Sequence, residues 1–343
     1  IGLGADQLTL DGGGNSRIFN INNSLAETEI IVELSGLTLR NGFADDGGAI
    51  LNYENLTVKD STVSGNHASA VYSHAGGGIY SAAGKLTVTG SKFTDNSAYS
   101  GGGIATFSTM LTVTNTTFFS NAAQDGGGIY FESPYQNDSY IASVVNSRFE
   151  ENNITGNGAG IRFEHGQASV LNSVFTGNIS DRVGGGIANY WTTLLVEDST
   201  FHQNYARVYG GGISNGGIFS TEGGGDFTLF RSTLSENSTV HNGGGIYTNY
   251  GLTRILNSTL SGNSTLYTGG GIYLGTPNQI DPFSAPNVEG PAEMEIFSST
   301  ITGNSANSKS GIYTKSQIEI TNSIVAGNPV NNSSSQNYGP ITA

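Results

Sequence analysis

Residues 76–96 read GGGIYSAAGKLTVTGSKFTDN, and residues 101–121 read GGGIATFSTMLTVTNTTFFSN. The two lines align position for position. Each has a glycine triplet and an isoleucine (Ile79, Ile104), then an alternating Leu-Thr-Val-Thr run (Leu86–Thr89, Leu111–Thr114). An apolar anchor follows (Phe93, Phe118) and, three places on, an asparagine (Asn96, Asn121). Self-similarity of this kind identifies a repeat architecture before any other feature is weighed. Extended outward, the glycine block ends at Ile50, Ile79, Ile104, Ile129, Ile161, Ile187, Ile213, Ile246, Ile272 and Ile312. The asparagine recurs as Asn66, Asn96, Asn121, Asn152, Asn178, Asn204, Asn237, Asn263, Asn304 and Asn328, and Gly36–Asn41 looks like a degenerate earlier copy.

The spacing predicts a minimal unit of about 22 residues and roughly eleven units, a period that marks a solenoid. Three short strands fit in each unit: one after the glycines, one through the alternating run, one through the apolar anchor. Thr, Val, Ile, Phe and Tyr favour pleated surfaces, and nothing carries the 3.6-residue period of a helix. The expected fold is all-β: a single-stranded parallel β-helix of about eleven coils with three short strands per coil, right-handed by the usual crossover preference. Identical residues then stack from coil to coil, and the buried asparagines form a ladder at a turn. One domain is expected over 1–343. Its first coils (1–45) are degenerate, 46–328 is regular with insertions near 131–140, 214–226 and 274–293, and 329–343 is an irregular tail.

Composition agrees. Glycine fills 51 of 343 positions, charged residues only 12%, and cysteine none. Thiol chemistry, disulfides and cysteine–zinc sites are excluded. With 27 acidic and 13 basic residues the net charge is −14, which disfavours nucleic acid and anionic membranes. No apolar run approaches the length of a membrane span, so no membrane insertion is expected in this segment.

Gly-Gly-Gly-Ile-Tyr alternating with Asn-Ser-Thr-Leu-Ser-Gly-Asn, as at 257–263, resembles the repeats of bacterial surface and secreted right-handed β-helix proteins. These are the polymorphic outer-membrane proteins, with their GGAI and FxxN pairs, and exoproteins of the CSLREA type. GGAI stands literally at Gly47-Gly48-Ala49-Ile50. The resemblance implies right-handedness, an extracellular or cell-surface location, and surface display or adhesion.

Two outward features remain. By alternation, Tyr80, Tyr130, Tyr190, Tyr247, Tyr273 and Tyr313 face away from the core, and together with Trp191 they read as a surface for a ligand or partner, able to stack on sugars or pack on protein. Glu132, Arg162, Glu164 and His165 form the one constellation with catalytic potential, with Tyr190 and Trp191 one coil above. Glu132 and Glu164 are expected as neighbours on one sheet rather than opposed across a sugar, and Arg162 as their surface ion-pair partner, which is poor geometry for hydrolysis. No histidine pair has metal-ligand spacing, so no metal or cofactor is expected beyond adventitious Ca2+ at turn acids such as Asp45, Asp46 and Asp125. Sheet edges without visible capping helices point to end-to-end self-association, as in a surface or matrix filament. The expectation is a non-enzymatic structural or adhesive solenoid. The alternative is a polysaccharide-binding or polysaccharide-degrading one.

Overall fold

The computed structural model describes residues 4–23, 30–71, 75–135, 137–217, 224–275 and 292–329, and the backbone of 341–342. Part of one expected insertion (218–223), most of another (276–291) and most of the tail (330–340) lie outside the described residues. The chain divides into two compact units, Ile1–Gln167 and Ala168–Ala343, built on the same plan. All regular structure among the described residues is strand, and the fold is a right-handed parallel β-helix.

In the first unit an isoleucine sheet stacks Phe19–Ile21, Ile50–Asn52, Ile79–Ser81, Ile104–Phe107, Ile129–Glu132 and Ile161–Glu164. Register is strict: Ile50, Ile79, Ile104, Ile129 and Ile161 pair in succession. A second sheet holds the alternating runs, with Leu56, Leu86 and Leu111 inward and Thr57, Thr87 and Thr112 outward. A third carries the anchors; the rings of Phe93, Phe118 and Phe149 stack at 5.0 and 4.8 Å. The second unit repeats this plan, with Ile187, Ile213, Ile246, Ile272 and Ile312 in one column and Phe175 stacked on Phe201 at 4.5 Å. Both units carry a further set of two-residue strands that the sequence did not announce: Ala122–Ala123 and Asn153–Ile154 in the first, and Ile179–Ser180, Tyr205–Ala206, Ser238–Thr239 and Ser264–Thr265 in the second.

Ladder partners are 24 to 41 residues apart, so a coil is longer than the predicted unit of about 22. That figure leaves out the three-position step from anchor to asparagine. Each ladder asparagine is buried and fully engaged. Asn96 Nδ2 donates to Asn121 Oδ1 at 3.0 Å and to the Val63 carbonyl at 2.9 Å. In the second unit the same contact runs from Asn178 through Asn204, Asn237, Asn263 and Asn304 to Asn328, each step 2.8–3.0 Å. At the first-unit end Gly42, not Asn41, occupies the position. Its N–H donates to Asn66 Oδ1, and a Cβ there would lie 2.2 Å from the Gly48 carbonyl oxygen, so no asparagine fits.

A second ladder runs through Ser61, Ser91, Thr116 and Ser147, and again through Ser173, Ser199, Ser232, Ser258, Ser299 and Ser323. Ser258 is typical: its hydroxyl donates to the Leu256 carbonyl at 2.8 Å and accepts the Ser232 N–H at 3.1 Å. The residue before each hydroxyl turns the corner with positive φ, as at Asn115 (50°), Asn172 (49°) and Asn257 (50°). Asparagine tolerates that conformation better than most side chains. The third corner is glycine from Gly47 to Gly269, with Lys309 (φ 54°) taking the place in one coil. Gly101 has φ 63°, and a Cβ there would sit 2.2 Å from the Ile104 carbonyl oxygen.

Candidate functional site

The outward face of the isoleucine sheet carries the chemistry of the first unit. Ile129–Glu132 and Ile161–Glu164 pair so that Tyr130 lies beside Arg162 and Glu132 beside Glu164. Alternation sends Ile and Phe inward and these four outward. Arg162 is held on both arms: NH1 is 3.0 Å from Asp125 Oδ1, and NH2 is 2.7 Å from Glu164 Oε2. Asp125 Oδ1 also accepts the Asn157 N–H and side-chain amide at 2.8 and 2.9 Å. The Tyr130 hydroxyl lies between the two glutamates, 2.6 Å from Glu132 Oε2 and 2.9 Å from Glu164 Oε2, and donates its one proton across both. The Arg162 guanidinium lies 5.4 Å from the centre of the Tyr130 ring.

Glu132, Arg162 and Glu164 are therefore brought together as expected, with the two carboxylates on one sheet. Arg162 is not a surface partner, however: its side chain is only 12% exposed, because the Tyr130 ring and the corner residue Asp125 flank it. His165 occupies the following turn at φ 60°, with Tyr135 edge-on to its ring at 5.2 Å. Asp125 was not among the sequence candidates for this cluster. Its signal was positional: it immediately precedes a glycine triplet, at the corner beside this face. Of the turn acids named for adventitious Ca2+, Asp125 is engaged by Arg162 and Asn157, and Asp45 accepts the Ser69 hydroxyl at 3.1 Å. Among the described residues no group of three or more acids and histidines is arranged to hold a metal.

The aromatic column points outward but is not an open surface. Tyr130, Tyr190, Tyr247 and Tyr273 are buried; Tyr80, Trp191 and Tyr313 are half-buried. In the second unit Tyr190, Tyr247 and Tyr273 form an apolar layer with Ala188 and the corner residues Val183 and Tyr209. Tyr209 stacks on Tyr247 at 4.2 Å, Tyr247 on Tyr273 at 5.2 Å, and Tyr273 meets Tyr313 at 4.8 Å. Lys309 Nζ lies 4.3 Å from the centre of the Tyr313 ring. Trp191 packs against the same layer, its ring 6.3 Å from that of Tyr190.

Burial of these rings has a measurable consequence. Burial first, then Asp46, Tyr53 and Glu132, pushes the Tyr80 hydroxyl up to about 12. Burial also drives Tyr130 well above the tyrosine range; Arg162 opposes this, and Glu164 and Glu132 add to it. A hydroxyl whose folded pKa is raised contributes stability that is whole below about pH 10 and is lost as pH climbs toward the folded value. Stability should therefore fall between about pH 10 and 12. Absorbance at the tyrosinate band should show a class of tyrosines that ionises only as circular dichroism reports unfolding. Free titration of every tyrosine near pH 10 with the fold intact would contradict the burial.

The family described as right-handed beta helix region matches residues 10–204, more than half of the chain. No curated protein and no solved structure matches it. Parallel coils in strict register, internal asparagine and hydroxyl ladders, and that match together make the chain a member of the right-handed β-helix family.

Proposed function

We propose that this chain is a non-enzymatic structural or adhesive β-solenoid working at the cell surface or outside the cell, like the GGAI/FxxN surface proteins its repeats resemble. One observation carries the reading. The only constellation with catalytic potential named from the sequence is engaged with itself, Arg162 between Asp125 and Glu164 and the Tyr130 hydroxyl between Glu132 and Glu164. A general acid or base must reach a substrate proton, and a hydrolytic pair must straddle a sugar. Neither suits two glutamates side by side under a buried tyrosine. The glycine, asparagine and serine columns have structural work inside the coils, which leaves outer columns and corners to meet a partner.

The test pairs activity with retention. The full chain is incubated with polygalacturonate, alginate and neutral glucans, following unsaturated product by ultraviolet absorbance and new reducing ends. In parallel its retention on intact bacterial cells and extracellular matrix is measured. Retention without turnover is expected. Turnover abolished by Glu164→Gln would overturn the reading in favour of the polysaccharide-degrading alternative.

A further inference from the structure

The corner leading into the glycine triplets of the second unit carries a feature that none of the roles above uses. Bridges from Val183 to Tyr209, Asn242, Thr268 and Ser308 set its register coil by coil. The preceding residues, Arg182, Val208, His241 and Tyr267, therefore stand in one column, with Arg207 and Leu266 in the column beside it. Backbone bonds hold this alignment: Val208 N–H to the Arg182 carbonyl at 2.7 Å, and Ser308 N–H to the Tyr267 carbonyl at 3.0 Å.

Charge separates this corner from the rest of the unit. Ala168–Ala343 contains six basic side chains: Arg182, Arg207, Arg231, Arg254, Lys309 and Lys315. Arg231 pairs with Glu197 and Asp198, and Arg254 with Glu295. Lys309 and Lys315 lie over the Tyr313 ring. Arg182 and Arg207 are exposed, on consecutive coils, and make no ion pair among the described residues, the neighbouring Asp181 included. In a chain of net charge −14, two adjacent guanidinium groups left unpaired are an anomaly. Guanidinium forks match carboxylate and sulfate oxygens two at a time. Two coils further on, His241 and Tyr267 stack at 5.0 Å and 12°, and Tyr267 is 55% exposed beside an exposed Leu266. An open aromatic face next to an aliphatic side chain suits the C–H face of a sugar.

We infer that this corner binds an acidic polysaccharide, a uronate-rich or sulfated chain, lying along the coils with acidic groups on Arg182 and Arg207 and a sugar ring on Tyr267. The inference rests on the adhesive reading and names the partner's chemistry. Coils rise about 4.8 Å each, so the corner offers one contact per coil to a linear polymer. Nucleic acid fits less well. Its charge is dense, and two guanidinium groups provide too little counterion release to hold it against a strongly acidic protein.

The probes are immobilised polygalacturonate and a sulfated glycosaminoglycan, with neutral dextran and a single-stranded oligonucleotide beside them; binding of the full chain is read by interferometry. Binding to one or both acidic glycans, weakened by salt, is expected. The Arg182→Gln/Arg207→Gln variant should bind at least about tenfold more weakly, and Tyr267→Ala several-fold more weakly. Arg231→Gln, which alters a cation already paired, should bind as the parent does. All of these side chains are exposed, so unchanged circular dichroism serves as the folding control. No binding to either glycan, equal binding by the double variant, or a preference for the oligonucleotide overturns the inference. Retention on cells is scored separately. Retention without glycan binding sinks the inference and leaves the adhesive reading standing. Glycan binding accompanied by turnover sinks the adhesive reading and leaves the site.

Discussion

Asn121→Ala should cost the first unit about 3–5 kcal/mol, among the largest effects a single side chain can have here. Asn121 is fully buried. Its Oδ1 accepts both the side-chain amide and the backbone N–H of Asn96, at 3.0 and 3.2 Å. Its Nδ2 donates to Asn152 Oδ1 and to the Phe93 carbonyl, each at 3.1 Å. Alanine leaves the Asn96 N–H, the Asn96 amide, the Phe93 carbonyl and Asn152 Oδ1 without the partners they have in the parent and opens a void between them. Asn121→Asp is a sharper probe. It keeps the shape but turns an acceptor toward Asn152 Oδ1 and a carbonyl, with no cation to compensate. Its carboxyl pKa must rise in the folded state, so the variant should gain stability relative to the parent as pH falls from 7 to 4. Asn257→Ala, at an exposed corner with φ 50°, should cost only about 1 kcal/mol. Urea midpoints at the two pH values decide the matter. Equal losses at positions 121 and 257 would mean the ladder carries no special stability.

Arg162→Met should cost a similar amount, about 3–5 kcal/mol, for a different reason. The hydrophobic stem is retained, so the loss is not one of packing. Asp125, Glu132 and Glu164 remain close together with no cation among them. Breaking a partly buried pair by removing one member is worse than replacing both. Adding Glu164→Gln to Arg162→Met should therefore recover much of the loss, a coupling that a double-mutant cycle reads directly. Additive losses in that cycle would show that the network is held by the fold rather than by its charges.

The columns were legible because each repeated residue has one job and a fixed place in a period. The isoleucines, the apolar anchors and the ladder asparagines are buried at the same place in coil after coil, and burial keeps isoleucine and asparagine fixed while the anchor varies among Phe, Leu, Ile and Val. The hydroxyl ladder was equally present, as the serine of Asn-Ser-Thr-Leu at 257–260, but serine is common in exposed turns and its spelling alone does not separate the two uses. The aromatic surface was misjudged for a physical reason. Alternation states on which side of a strand a residue lies, not whether anything covers it. Val183 and Tyr209, arriving from a corner, fold over the sheet and make Ala188, Tyr190 and Tyr247 a second apolar layer. The partnership of Arg162 with Asp125 was invisible because a corner residue has no partner assigned by the strand period. It meets the sheet only once the coil closes.

Asn121 receives from Asn96 the same contact it passes to Asn152. A gene that lost the segment encoding residues 97–121 would set Asn96 directly against Asn152 with nothing mismatched at the join. Unequal crossing-over between such near-identical stretches can therefore lengthen or shorten the protein by whole turns while every surviving turn keeps its neighbours' chemistry. Length, in such a molecule, is an inheritable variable that selection can adjust independently of the fold.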